Sequence, residues 1–272
     1  MSACNASGAQ IGHTLLRREL IRTPKPTILG SFHDLALETL RRIPLIEDLT
    51  SGPIPPGSNI IVEFDPASMW YNASLTIAAG WLRTGGSVSY IAHTQPPDDF
   101  RSQLRQQGIS VEELEEKDRL WITDFYTPSI GQKSKEKHGP ESLRVADLSL
   151  WLGREAMVER AAPEFLVVTD NNSILDRFND EKNWVELFLT RPIPMAKQRQ
   201  ITQLIAFVSG IHSLWAYKQL EAAADGIVDF KVAEGAEETR DLMRIRALRK
   251  VSFDRRWHEL TMSENTEVVL HK

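Results

Sequence analysis

Five short apolar runs, separated by stretches of helical periodicity, constrain this chain more than any other feature. They are Asn59–Phe64 (NIIVEF), Ser87–Ala92 (SVSYIA), Leu120–Asp124 (LWITD), 165–170 (FLVVTD) and 204–209 (LIAFVS). Each is too short for an ordinary helix, and near-continuous apolar character marks a strand buried on both faces. Helical patterns lie between or after them at 73–82, 98–107 and 148–161, through a helix-rich stretch to about residue 200, and at 214–224. The segment 127–141 (TPSIGQKSKEKHGPE) is polar with Gly and Pro and reads as an exposed loop. From Gly226 onward the period shifts toward two, which predicts strands running antiparallel at one edge. Strands alternating with helices predict an α/β fold: a mostly parallel central sheet flanked by helices, with antiparallel C-terminal strands.

The chain has 272 residues, a formal net charge of -5 and 25% charged residues. That balance argues against a surface built throughout to coat nucleic acid or anionic membrane. The single cysteine, Cys4, excludes an intramolecular disulfide and a cysteine metal cluster. No stretch approaches the roughly 20 apolar residues that span a bilayer, and residues 1–14 lack an apolar export signal. A cytoplasmic protein with no membrane partner is expected. Residues 1–38 read as an N-terminal extension and 39–272 as one domain. Within the extension, Leu15, Leu16, Leu20 and Ile21 fall among Arg17, Arg18 and Arg22, suiting either a bland extension or an arm that docks on a neighbouring subunit. A helical pattern begins at Phe32 and ends before Pro44.

The segment Arg42-Ile43-Pro44, followed by Gly52-Pro53-Ile54-Pro55-Pro56-Gly57-Ser58-Asn59-Ile60-Ile61-Val62, resembles the opening of RecA-superfamily ATPases of the KaiC type. In that family the lead-in precedes a strand, a phosphate-binding loop and a helix. The resemblance continues through Tyr90-Ile91, 165–170, Ala223-Asp225-Gly226 and Arg249, and it implies a RecA-like P-loop NTPase fold. The family's loop reads G-x-x-x-x-G-K-[ST]: glycines let successive N–H groups turn inward, the lysine meets the β/γ-phosphates and the hydroxyl meets magnesium. In the same register this chain has Phe64-Asp65-Pro66-Ala67-Ser68-Met69-Trp70-Tyr71. Phe64 and Met69 fill both glycine positions, Trp70 stands for the lysine and Tyr71 for the hydroxyl. Non-glycine residues resist the positive φ of a phosphate nest. Asp65 adds a repulsion of about 4 kcal/mol toward one unit of phosphate charge at about 4 Å.

The resemblance also places an acidic residue after the second strand to activate water, but the chain reads His93-Thr94-Gln95-Pro96 there. Asp170 matches the family's magnesium-holding aspartate; read without the family, it is a strand-end carboxylate capping the turn of Asn171, Asn172 and Ser173. Arg249 matches an arginine that reaches across a subunit interface, while the lysine expected two positions earlier is Ala247. No catalytic residue is therefore assigned, and neither ATP nor magnesium is expected as a cofactor. The leading expectation is a non-catalytic platform for assembly, regulation or protein interaction, forming homo- or hetero-oligomers through RecA-type edges. One alternative is a small-molecule or nucleotide sensor using Trp70 or Tyr71. Another is a nucleic-acid-binding ring using the basic stretch 240–256, where Arg244, Arg246 and Arg249 would meet a polyanion or a neighbouring subunit; the plain reading is a salt-bridged sheet edge. His212, His258 and His271 lack the spacing of a metal site, and no G-x-S-x-G elbow surrounds Ser209 or Ser213. Most of the seven tryptophans fall at core spacing, with Trp70 set apart in a loop.

Overall fold

The structure, a computed structural model, describes residues 42–154, 165–173, 181–235 and 238–272. The expected extension at 1–38, the helical pattern from Phe32 and the far end of the 148–161 helix lie outside the described residues.

A nine-stranded sheet organises the domain. Its strands are β1 (Asn59–Phe64), β2 (Ser87–Ala92), β3 (Leu120–Asp124), β4 (Phe165–Thr169), β5 (Thr202–Val208), β6 (Gly226–Glu234), β7 (Thr239–Leu248), β8 (His258–Met262) and β9 (Val268–His271). The spatial order is β3-β2-β4-β5-β1-β6-β7-β8-β9. From β3 to β6 every pairing is parallel; β7, β8 and β9 add antiparallel strands at one edge. The fold expected from the apolar runs is the fold observed.

Two helical layers cover the sheet. α1 (Trp70–Arg83) lies on one face, over Ile60, Val62, Tyr90, Leu166, Val168, Leu204 and Ala206. On the other face α6 (Glu181–Thr190) and α8 (Leu214–Ala223) pack over Ile61, Ile205 and Phe207. The alternation Ile60/Ile61/Val62 along β1 thus serves both layers, as a doubly covered parallel strand requires. The remaining helices are α2 (Pro97–Gln106), α3 (Val111–Glu116), α4 (Tyr126–Ser129), α5 (Val145–Arg154) and α7 (Pro192–Arg199). No helix among the described residues is long and apolar enough to cross a membrane.

The lead-in to β1 is held by one buried carboxylate. Glu47 accepts hydrogen bonds from Ile43 N at 2.8 Å and Ile54 N at 2.5 Å, closing residues 43–54 into a compact turn. Pro44 then rests on α1 at Gly80, where an added Cβ would stand 2.4 Å from Pro44 Cγ. Gly57 adopts φ +79° two residues before β1, a conformation glycine accepts without strain.

Among the differences from the sequence reading are two boundaries and one added helix. α1 begins at Trp70 rather than at residue 73, so the aromatic pair belongs to the helix and not to the preceding loop. β5 spans Thr202–Val208 rather than 204–209. α3 is not expected from the sequence: its acidic run VEELEE is anchored by fully buried Val111 and by Leu114, which packs against the same core. The expected loop at 127–141 opens with the single turn α4 and is tied down by Ser134 Oγ on Asp124 Oδ2 at 2.5 Å and by Arg101 on Glu136 at 2.7 Å.

Candidate functional site

In open α/β sheets a ligand site forms where strands deliver their C-terminal ends, at a reversal of strand order. Here β1 ends at Phe64 beside β5, and the turn into α1 follows. The first residue past β1 extends its pairing: Asp65 N donates to Phe230 O at 2.9 Å. The chain then closes on itself, since Asp65 Oδ1 accepts Ala67 N at 2.8 Å and Asp65 O accepts Ser68 N at 2.9 Å and Ser68 Oγ at 2.6 Å. The next amide is taken from across the sheet, Met69 N donating to Asp241 Oδ1 of β7 at 2.8 Å. No residue from 64 to 71 has a positive φ. This loop therefore lacks the alternation of right- and left-handed residues that shapes an anion nest. Three consecutive amides, those of Ala67, Ser68 and Met69, already have acceptors within the chain.

Asp241 acts as an N-terminal anion for α1, a role that favours a negative charge at a helix start. Burial, with the charge of Asp65 adding to it, raises its pKa above the usual carboxylate value. Replacing Asp241 with alanine should lower stability by about 1 kcal/mol, the usual cost of a lost helix cap, and Asp241→Asn should retain part of it. A urea unfolding midpoint that does not move in Asp241→Ala would show that the cap contributes nothing.

Behind the loop the volume is filled. Trp70 and Phe64 have no exposed surface, and Tyr71 is half-buried. The Trp70 ring lies 5.2 Å from Phe230 and 6.0 Å from Phe64 between centroids, and Tyr71 meets Phe64 edge-on at 5.4 Å. The indole Nε1 donates to Asp170 O at 2.7 Å. Trp70, set apart in the sequence as a loop residue, is thus one of the most deeply buried side chains of the core. Pro66 and Ala67 form the exposed tip, while Ser68 turns inward.

Asp170 follows β4 and is fully buried. Its carboxylate binds the turn after β2: Oδ1 accepts His93 N at 2.9 Å, and Oδ2 accepts Thr94 N at 3.1 Å and Thr94 Oγ1 at 2.6 Å. Burial pushes its pKa up to about 6 against these donors and the amide of Asn171. The capping expected at 171–173 is made chiefly by Asn171, whose Oδ1 accepts Ser173 N at 2.9 Å. Asp170 reaches instead to residues 93 and 94, across the β2–β4 pairing. His93, the one titratable residue of the second-strand turn, is fully buried against Phe125 at 4.7 Å, with neither ring nitrogen hydrogen-bonded. Burial lowers its pKa to about 3, so it is neutral at pH 7.

Three arginines of the basic stretch, Arg244, Arg246 and Arg256, are paired with carboxylates. Glu63, Asp229 and Arg244 stand side by side across β1, β6 and β7. Arg244 Nε donates to Asp229 Oδ2 at 2.8 Å, and the Arg246 guanidinium contacts Glu63 at 2.5 Å, Glu221 at 3.0 Å and Asp229 at 3.1 Å. Arg244 and Lys231 lie over the Trp257 ring at 4.4 and 4.1 Å. Arg249 is exposed, with Nη2 donating to Ala222 O at 3.0 Å. No group of three or more metal-ligating side chains occurs among the described residues. Sequence reasoning missed Asp241 and the Glu63–Asp229–Glu221 carboxylates, because their partners are distant in sequence and appear only once strand order is known.

A mostly parallel sheet with a strand, loop and helix at its centre and an antiparallel C-terminal edge defines the RecA-like class of α/β proteins. Residues 73–272 match the family described as "ATPase: KaiC", and the chain belongs to that family. The match begins just past the loop, so residues 64–71 lie outside it. Among solved structures, a KaiC-like protein, PH0186, from the hyperthermophilic archaeon Pyrococcus horikoshii OT3 is similar, with a TM-score of 0.65 at 15% identity over 85% of this chain and 97% of that one. No curated protein matches the chain.

Proposed function

We propose that this KaiC-family chain is a non-catalytic member, a cytoplasmic assembly, regulatory or protein-interaction platform in which the nucleotide position serves as core. The carrying observation is Trp70, fully buried at the family's lysine position with its indole on the Asp170 carbonyl. The residues do not fit a magnesium-bound triphosphate. Asp65 and Asp241 supply negative charge where the phosphates would lie, and the loop amides are already bonded. Asp170, the expected metal-side carboxylate, has its oxygens committed to residues 93 and 94.

A docking role is supported by the turn from β5 into α8. Ile211, Leu214 and Trp215 are 54%, 73% and 46% exposed, three large apolar side chains within five residues. Clustered apolar exposure favours interaction with another protein surface. The ion-paired state of Arg244 and Arg246 favours a structural role for them over a nucleic-acid ring.

Purified protein should show no ATP turnover above background and no thermal stabilisation by ATP with magnesium. A ligand at 100 times its Kd would add about 2.7 kcal/mol, which a melting experiment resolves. Turnover that disappears in Asp170→Ala would overturn this reading.

A further inference from the structure

The two edges of the nine-stranded sheet are covered by different means. At β9 the cover is a helix: Val268 N donates to Thr76 Oγ1 of α1 at 2.9 Å. At β3 it is a segment of irregular chain. The inner side of β3 pairs with β2, from Val88 N on Arg119 O at 2.8 Å to Phe125 N on Ala92 O at 2.9 Å. In that parallel pattern the N–H and C=O groups of Leu120, Ile122 and Asp124 point outward. Yet all three residues are buried. His138 closes the end of this side as a parallel bridge to Thr123, its carbonyl accepting Asp124 N at 3.2 Å. Gly139 lies so close that a Cβ there would stand 2.9 Å from Asp124 O. Further along, Glu136, Lys137 and His138 flank one slot with Leu120 and Ile122.

Side chains hold this segment in place. Ser134 Oγ donates to Asp124 Oδ2 at 2.5 Å and accepts Glu136 N at 3.1 Å. Arg101 of α2 grips Glu136 with two parallel bonds, Nη1 to Oε1 at 2.8 Å and Nη2 to Oε2 at 2.7 Å, a fork stronger than a single contact. The same guanidinium donates from Nε to Glu115 of α3 at 2.9 Å, so its position is set independently of the segment. The His138 ring stacks on Trp121 with centroids 4.2 Å apart and planes 3° apart. The Lys137–Asp118 pair, at 3.3 Å and exposed on both sides, adds little. Beneath this cover β3 has few of the devices that keep open edges apart. Its run LWITD contains no Lys or Pro, and its register with β2 continues without a bulge.

We infer that residues 134–139 are a removable guard over the β3 edge, and that the strand they exclude is β3 of a second copy of this chain. The outward groups of Leu120, Ile122 and Asp124 are complementary to themselves when two such strands run antiparallel about a two-fold axis at Ile122. A cover made of side-chain anchors on an irregular segment opens at lower cost than a strand of the sheet. The inference is independent of how residues 64–71 are read.

The test uses the full chain. Ser134→Ala combined with Glu136→Ala removes the anchors of the segment and leaves Arg101 on Glu115. Glu136→Lys, which sets a cation against Arg101, is the second variant. Trypsin cleavage after Lys133, Lys135 and Lys137, located by mass spectrometry, should be roughly tenfold faster in either variant. In sedimentation velocity each variant should form, as its concentration rises, a species of twice the mass that the natural chain shows. A labelled peptide of residues 119–125 should bind the variants roughly tenfold more tightly than the natural chain, and should suppress that species. Cleavage at the natural rate in both variants would overturn the guard, because the named anchors would hold nothing. Faster cleavage with neither added association nor a gain in peptide binding would overturn the edge as a docking strand. Association that the peptide leaves untouched would place the contact on another surface and overturn the pairing of β3 with itself.

Discussion

Trp70→Ala is expected to be among the most destabilising single substitutions in the chain, lowering stability by about 3–5 kcal/mol. Truncating a fully buried tryptophan removes apolar burial and leaves a cavity whose walls relax only in part. The walls are Phe64 and Phe230, themselves fully buried and held by β1 and β6. Loss of the indole donor also leaves the Asp170 carbonyl without that bond. Against a total of about 5–15 kcal/mol for a typical domain, such a loss removes between a fifth and the whole of the stability. Trp70→Phe should cost less, about 1–2 kcal/mol, because a ring is kept while the bond of about 1 kcal/mol is lost. The ordering separates core packing from a vestigial ligand contact, which would leave stability unchanged in either variant. Trp70→Lys restores the family residue, yet it puts an ammonium where no surface is exposed and should be at least as damaging as alanine. Urea unfolding measures all three. A Trp70→Lys variant that folds normally and gains affinity for ATP would sink the core reading.

The fold was more legible than the site, for reasons visible in particular residues. Strands β1, β2 and β3 coincide with their apolar runs because every second residue feeds a different helical layer. β5 begins two residues before its apolar run, since Thr202 and Gln203 are polar yet buried. The Gln203 amide is bonded to Asn59 on the neighbouring strand, a pairing that no local pattern reveals. Trp70 departs from its expected place for a different reason. The motif register marks residues 64–71 as a loop, whereas an aromatic residue packed under Phe230 starts the helix early. The acidic cap of α1 lies 172 residues away at Asp241, so its role follows from the position of β7 at the sheet edge and not from spacing. The turn at residues 93 and 94 illustrates the same limit. Its family role called for a carboxylate in sequence, while the carboxylate it receives, from Asp170, comes from the adjacent strand.

The same turn sets an acid response with two opposing contributions. His93 is neutral in the folded state down to about pH 3, because its ring is buried without a hydrogen-bond partner. The unfolded chain takes up that proton near pH 6.5, so the stability owed to neutral His93 is complete above that value and is lost as pH falls below it. Between pH 7 and pH 5 the loss is roughly 2 kcal/mol by proton linkage. Asp170 works the other way. Burial raises its pKa to about 6, so the folded state binds a proton that the unfolded carboxylate, near its ordinary value, releases. Stability then rises as pH falls through 6, by roughly 1 kcal/mol between pH 7 and pH 5. The histidine contribution is the larger, and the pair should lose about 1 kcal/mol over that interval. His93→Leu keeps the apolar contact with Phe125 and removes the titration. Relative to the natural chain its stability at pH 5 should improve by roughly 2 kcal/mol more than at pH 7. Asp170→Asn should steepen the acid loss, although the amide cannot accept all the donors of residues 93 and 94 and will cost stability at every pH. Unfolding free energies at the two pH values, compared across the natural chain and both variants, decide the matter. If His93→Leu and the natural chain show the same pH dependence, the histidine ring is solvated in the folded state, and the sealed environment beside Asp170 and Phe125 is not what holds this turn.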